Sequence, residues 1–203
     1  MYYAPFDYVN HAAKVVLVGI TPGWTQMEIS YRSASQDLRE GLASSEVCRR
    51  AKQRASFAGS MRKTLIAMLD AVELPAYLDI DSTESLFAEH GQLMYAAQAI
   101  RYPVFVEGRN YTGHSPNLLK TASLRYFIEN VLTDELRSAH EAVIVPLGRS
   151  VAEVLDFLAD GGHLDRDRCL FGFPHPSGAN GHRVREFRER RGNLRRKVKQ
   201  WIG

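Results

Sequence analysis

The chain has 203 residues, 45% of them hydrophobic and 24% charged, with a formal net charge of +3. That mixture is globular and long enough to bury a core, and one domain over residues 1–203 is expected. There is no run of about 18 apolar residues, so no membrane span is expected. The N-terminus lacks a basic start followed by an apolar stretch and does not read as a signal peptide. Two cysteines, Cys48 and Cys169, make neither a disulfide framework nor a four-thiolate metal site, so a reduced, cytoplasmic protein is expected.

In chain order, Lys14 to Gly19 (KVVLVG) is a β-branched run ending in glycine and reads as a buried strand. Trp24 to Phe57 reads as helical and polar. Met61, Leu65, Met68, Leu69 and Val72 are spaced as one face of a helix. Gln92 to Ile100 reads as a second strand. Ser115-Pro116 has the form of a helix start, Ser as N-cap and Pro at the first position, with Leu119, Leu124, Phe127, Ile128 and Val131 as the apolar face. Ala142 to Gly148 reads as a third strand, and the helix after it is closed by Gly161 and Gly162. RCLFGF, from Arg168 to Phe173, reads as a fourth strand, and Arg183 to Trp201 as a charged terminal helix. Strands and helices alternating in this way predict a three-layer α/β/α fold with a four-stranded parallel sheet. Ligands in such folds bind at the carboxyl ends of the strands. Three glycine-containing loops fall on that edge: Gly19 to Trp24, Gly148 to Ser150, and Phe171 to Arg183.

Charge is unevenly distributed. From Arg166 to Gly203 there are 11 Lys/Arg and 3 Asp/Glu, against 15 and 20 in the rest of the chain. A second basic cluster is formed by Arg49, Arg50, Lys52 and Arg54. Two readings remain open: a surface for an anionic partner, nucleic acid being the commonest, or a solvated terminal helix.

The loop GITPGW (Gly19 to Trp24) combines glycines, which allow close backbone approach, with a stiffening proline. It is either an ordinary strand-to-helix turn or an anion-holding loop whose N–H groups face the ligand. Neither a G-x-x-x-x-G-K-[ST] nor a G-x-G-x-x-G pattern is present. In PHPSGANGHR, Pro174 and Pro176 bracket His175, which is then placed to hydrogen-bond a developing oxyanion. Ser177 and the Gly178 N–H are candidates to grip a phosphate, and Asn180, His182 and Arg183 to probe a groove. The seven histidines form no H-E-x-x-H or short H-x-H pair, and no metal site is expected. GRSVA has the first but not the last glycine of a nucleophile elbow.

On these residues the chain resembles the uracil-DNA glycosylase superfamily. GITPG matches the family's Gly-x-x-Pro-Gly-type loop after the first strand, and HPSG its His-Pro-Ser loop after the last. SFAGSMRKTLIAMLDAVEL, from Ser56 to Leu74, is similar to the branch that carries an iron–sulfur cluster. VIVPLGRSVAEVL matches the third-strand signature. The resemblance covers about Val15 to Gly181.

The resemblance implies an enzyme that flips a base out of the duplex and cleaves its N-glycosidic bond. It implies that Ile20, Pro22, Gly23 and Phe57 line the base pocket, with Phe57 stacked on the base. Gln98 would read the base edge, standing where the branch has an Asn. His175 would stabilise the departing base. Gly148, Arg149, Ser150, Ser177 and Gly178 would hold phosphates, and Asn180 to Arg183 would wedge into the gap. The family's first loop carries Asp, Asn or Glu to orient water; here those positions read Ile20 and Thr21, and a threonine hydroxyl is no general base at neutral pH. The branch's cluster-binding cysteines are absent, so no iron–sulfur centre and no other cofactor is expected. Glu28 and His114 are alternative water-orienting groups.

The expectation is a monomeric DNA glycosylase for uracil or a related deaminated base, with His175 and Thr21 in the reacting centre. A catalytically silent nucleic-acid- or nucleotide-binding protein and a hydrolase of free nucleosides are the alternatives.

Overall fold

The computed structural model describes residues 1–178 and 180–202. Three parallel strands form the central sheet: β1 (Val15–Gly19), β2 (Met94–Gln98) and β5 (Val143–Pro146), in the order β2-β1-β5. The register pairs Val15 with Met94 and Val143, and Gly19 with Gln98. Nearly every strand residue is buried, which is why these segments read as unbroken apolar runs rather than alternating ones.

Alternate strand residues serve two cores. Val15, Leu17, Met94, Ala96, Val143 and Val145 face one, packed against α3 (Ser60–Ala71), α4 (Leu74–Leu78) and the terminal α8 (Arg183–Ile202). Val16, Val18, Tyr95, Ala97 and Ile144 face the other. That side is closed by α5 (Ala122–Tyr126), a π-helical turn Phe127–Leu132, α6 (Thr133–Ser138) and α7 (Arg149–Asp160). A two-stranded antiparallel hairpin, β3 (Phe105–Val106) with β4 (Arg109–Asn110), stands apart from the sheet. Its turn residues Glu107 and Gly108 have φ of 51° and 74°, as a tight type I′ hairpin requires.

Three sequence expectations are corrected. The fourth strand is reduced to a single parallel bridge, Ile144 with Cys169, among the described residues. The segment still runs beside β5: Leu170 N–H donates to Ile144 O (2.8 Å) and Gly148 N–H to Phe173 O (3.0 Å). Between those bonds the chain turns at Phe171-Gly172, with Gly172 at φ 92°, and the ladder cannot continue.

Ser115-Pro116 opens no helix. Its peptide bond is cis, and the Asn117 side chain accepts from the N–H of Leu119 and Lys120, forming a turn. The helix begins only at Ala122, and its core residues are Leu124, Ile128, Leu132 and Leu136.

The second basic cluster is not a free cationic surface. Arg49 and Arg50 pair with Glu46, Arg54 pairs with the fully buried Asp37, and Lys52 is itself buried. This explains why α1 (Trp24–Arg39) lacks an apolar stripe. Its inward face is Gln26, Ser30, Ser33, Ala34 and Asp37, and it meets α2 (Ser44–Ala55) through the bonds of Arg54 to Ser33 and Asp37 and a small apolar cluster of Ala34, Val47 and Ala51. Among the described residues, no helix is long and apolar enough to cross a membrane.

Candidate functional site

The carboxyl ends of β1 and β2 and the loop after β5 meet on one edge. Gly19 ends β1 in contact with Gln98, the last residue of β2: a Cβ at Gly19 would lie 2.4 Å from Gln98 Oε1 and would push that side chain aside. The Gln98 amide therefore lies against the start of the first loop. The backbone ties continue beyond the strands, with Ala99 N–H to Gly19 O and Ile100 N–H to Ile20 O, both 2.9 Å.

The first loop is held by its own bonds. Thr21 Oγ1 donates to Tyr102 O (2.7 Å) and accepts from Val104 N–H (3.2 Å), so this hydroxyl pins the loop after β2. Gly23 N–H donates to Gln26 Oε1 (2.8 Å) and Trp24 N–H to Asn110 Oδ1 (2.9 Å). Both N–H groups are engaged within the protein rather than presented to an anion. Ile20 packs on the core side, near Gly113, and Pro22 is buried.

Gly148 begins α7 with φ 93° and ψ 172°, a region open essentially to glycine alone. A Cβ there would lie 2.8 Å from the Cβ of His175. His175 is thus seated on the turn that opens α7. Its Nδ1 receives the Ser177 N–H (3.2 Å) and lies 3.0 Å from Ser177 Oγ. A backbone N–H can only donate, so Nδ1 is the acceptor and the proton of the neutral ring sits on Nε2. Burial lowers the His175 pKa below its ordinary value, which favours that neutral form. Nε2 has no hydrogen-bond partner among the described residues.

The rest of this loop is mostly self-bonded. Asn180 donates to His175 O (3.4 Å) and Glu186 Oε2 (3.2 Å) and accepts from His182 N–H (3.1 Å). Arg183 donates to Asn180 O (3.2 Å). Gly178 and His182 are exposed, and Gly178 has open space around it. Arg149 turns outward to Glu153 (2.9 Å). Ser150 is buried, and His114 approaches it at 3.5 Å through both ring nitrogens, an edge contact too long to be a firm bond. Glu28 pairs with Arg32 on α1.

Phe57 is not presented to the edge as a stacking surface. It is 1% exposed within the core that contains Leu17, Ala96 and Phe173, at a φ of 52° that is uncommon for a non-glycine residue. Near it a cavity of about 10 Å³, room for one water, is lined by residues including Pro22, Lys52, Ser56, Gln98, Arg101 and Glu135.

That cavity borders a buried ionic network no motif announced. Lys52 donates to Phe6 O (3.3 Å), Tyr8 O (2.8 Å) and Tyr95 Oη (2.9 Å), and burial lowers its pKa to about 8. Arg101 binds Glu135 at 2.6 Å and Asp7 at 3.3 Å, and Tyr102 donates to Asp7 (2.6 Å). The network clamps the N-terminal segment across the end of β2. The only sequence signal was Lys52, counted there as surface charge; the network joins residues up to 95 positions apart. Among the described residues, no group of three His, Cys, Asp or Glu is placed to hold a metal ion.

No family model matches the chain. It is 36% identical over 203 aligned residues to the uncharacterized protein YoxB of Bacillus subtilis (strain 168), covering 99% of this chain and 79% of the relative. On that similarity, the chain belongs to the YoxB family.

Proposed function

We propose that this protein cleaves the N-glycosidic bond of uracil or a related deaminated base in DNA, on an architecture of the uracil-DNA glycosylase type. The observation that carries the reading is His175, a half-buried imidazole held towards its neutral form, with its Nδ1 occupied and its Nε2–H unpartnered among the described residues at the strands' carboxyl edge. As the bond between the sugar C1′ and the base nitrogen breaks, its electron pair moves onto the base. The Nε2–H donates a hydrogen bond to the oxygen that gathers this charge, and water adds to the sugar cation. A preset neutral donor needs no reorganisation at that moment. The sheet order supports the reading: three parallel strands, β2-β1-β5, lie between two helical layers, and a single bridge at Cys169 stands beside β5 where the expected fold has its fourth strand. Gln98 against Gly19 supports an amide that reads the base edge.

A second reading, a nucleic-acid-binding protein without turnover, is favoured by three observations. The Thr21 hydroxyl is spent on Tyr102 and Val104, Phe57 offers no free ring face, and the cavity beside Gln98 has room for about one water and not for a base. The enzyme reading requires the side chains around that cavity to part when a base enters. Oligonucleotides carrying uracil, hypoxanthine or xanthine, incubated with the protein and then treated with alkali, separate the two. Alkali-labile product supports the enzyme, and binding without product supports the silent form.

A further inference from the structure

Among the described residues, five large aromatic side chains are exposed: Tyr2, Tyr3, Trp24, Tyr31 and Tyr126, between 47% and 61%. They fall in two neighbouring groups, joined through the consecutive residues Tyr2 and Tyr3. Tyr2 and Trp24 both lean on Phe105, with ring centroids 5.7 and 5.9 Å away. Tyr3 packs on Tyr102 (5.6 Å), Tyr102 on Phe127 (6.1 Å) and Phe127 on Tyr126 (6.1 Å). Tyr31 donates its hydroxyl to Tyr3 O (2.6 Å). Scattered exposed aromatics need no explanation, whereas a connected set marks a contact surface.

The patch is anchored rather than loose. Tyr2 N–H donates to Pro103 O (2.9 Å), and Trp24 N–H to Asn110 Oδ1 (2.9 Å). It is also continuous with the candidate site. Trp24 directly follows Gly23 of the first loop, and Thr21 binds the carbonyl of Tyr102. Arg109 and Glu107, both on the hairpin, are exposed and pair with no opposite charge among the described residues, while Asp7 pairs with Arg101 (3.3 Å) and accepts from Tyr102 (2.6 Å). Exposed aromatic faces suit the stacking of unpaired bases, with the Arg109 guanidinium within the same hairpin to meet a phosphate. Every base has a π-face, and in a duplex those faces are already stacked.

We propose that Trp24, Phe105 and Tyr2 form a stacking shelf for the unpaired bases of single-stranded DNA that flank the base at the candidate site. The shelf rests on the nucleic-acid part of the functional reading and not on glycosidic cleavage. Its consequence is a preference for single-stranded over duplex DNA.

The test uses the fluorescence of Trp24, isolated by Trp201→Phe because the chain has two tryptophans. This variant is titrated with a short oligodeoxythymidine and with a duplex of equal length. We expect the single strand to quench Trp24 and the duplex to do so only weakly. Trp24→Ala and Phe105→Ala, followed by anisotropy of the labelled strand, should weaken binding by about 5- to 150-fold each. Trp24→Tyr should retain most of it, and thermal melts identify any variant that fails to fold. No quenching, equal quenching by duplex, or unchanged binding in folded Trp24→Ala overturns the shelf. Trp24 emission that depends on protein concentration but not on DNA also overturns it and makes the patch an interface between copies. Quenching without alkali-labile product keeps the shelf and removes the glycosylase; product from a duplex with no single-strand quenching does the reverse.

Discussion

Gly148 and His175 are in direct contact: the space a side chain would need at Gly148 is filled by the Cβ of His175. The glycine is required twice over, by its φ of 93° with ψ of 172° and by that approach. Gly148→Ala should therefore cost about 1–3 kcal/mol of backbone strain and lower the Tm by roughly 2–12 °C. It should also displace the imidazole, so activity of the remaining folded protein falls as far as in His175→Ala. A melt and a single-turnover assay on the folded fraction check both parts.

The bonds of Thr21 predict a structural role. Thr21→Val removes a donor from Tyr102 O and an acceptor from Val104 N–H and should destabilise by about 1–3 kcal/mol. Thr21→Ser should restore that stability. Cleavage per folded molecule should change less than tenfold in both, measured at saturating enzyme. A large loss confined to the rate, with stability unchanged, would instead give the hydroxyl a role in the chemistry.

His175 links stability to pH. Its pKa in the folded protein lies below the ordinary value of about 6.5, because burial disfavours the charged ring. As pH falls below about 6.5, the unfolded chain takes up a proton that the folded chain does not. The contribution is fully present above that pH and is lost as pH falls towards the folded pKa. Urea denaturation from pH 8 to pH 5 should show wild type losing stability over this range more steeply than His175→Gln.

Lys52 gives the corresponding effect on the alkaline side. Its folded pKa of about 8 lies below the roughly 10.4 of a free lysine. Between those values the unfolded chain binds the extra proton, so this group makes stability rise with pH from about 8 upwards. Lys52→Met should flatten that rise between pH 8 and 9.5. It also releases the carbonyls of Phe6 and Tyr8, so the N-terminal segment should become susceptible to limited proteolysis.

The frame of this fold was legible because its strands are short, parallel and buried on both faces, so Val15 to Gly19 and Val143 to Pro146 stand out as apolar runs ended by turns. α7 was equally plain, with Val151, Val154, Leu155 and Leu158 on one face and Gly161 after it. What escaped depends on contacts distant in sequence. Lys52 resembles its neighbours Arg49, Arg50 and Arg54 in the chain, and only the packing of Phe6, Tyr8 and Tyr95 around it makes it a buried clamp. Ser115-Pro116 has the composition of a helix start, but Asn117 draws the following N–H groups into a turn. RCLFGF has strand composition, and Gly172 at φ 92° bends it away after one bridge. At the candidate site, His175, Gly148, Gln98 and Gly19 were legible as strand-end residues. The engagement of Thr21 and the burial of Phe57 were not, because neither follows from residue type.

The most direct test of the account is alkali-sensitive strand scission of uracil-containing oligonucleotides, single-stranded and mismatched, by wild type and by His175→Ala. Wild type should give product, and His175→Ala should lose it by at least about 100-fold because the donor is removed. No product on any substrate, or product undiminished in a folded His175→Ala protein, would contradict it.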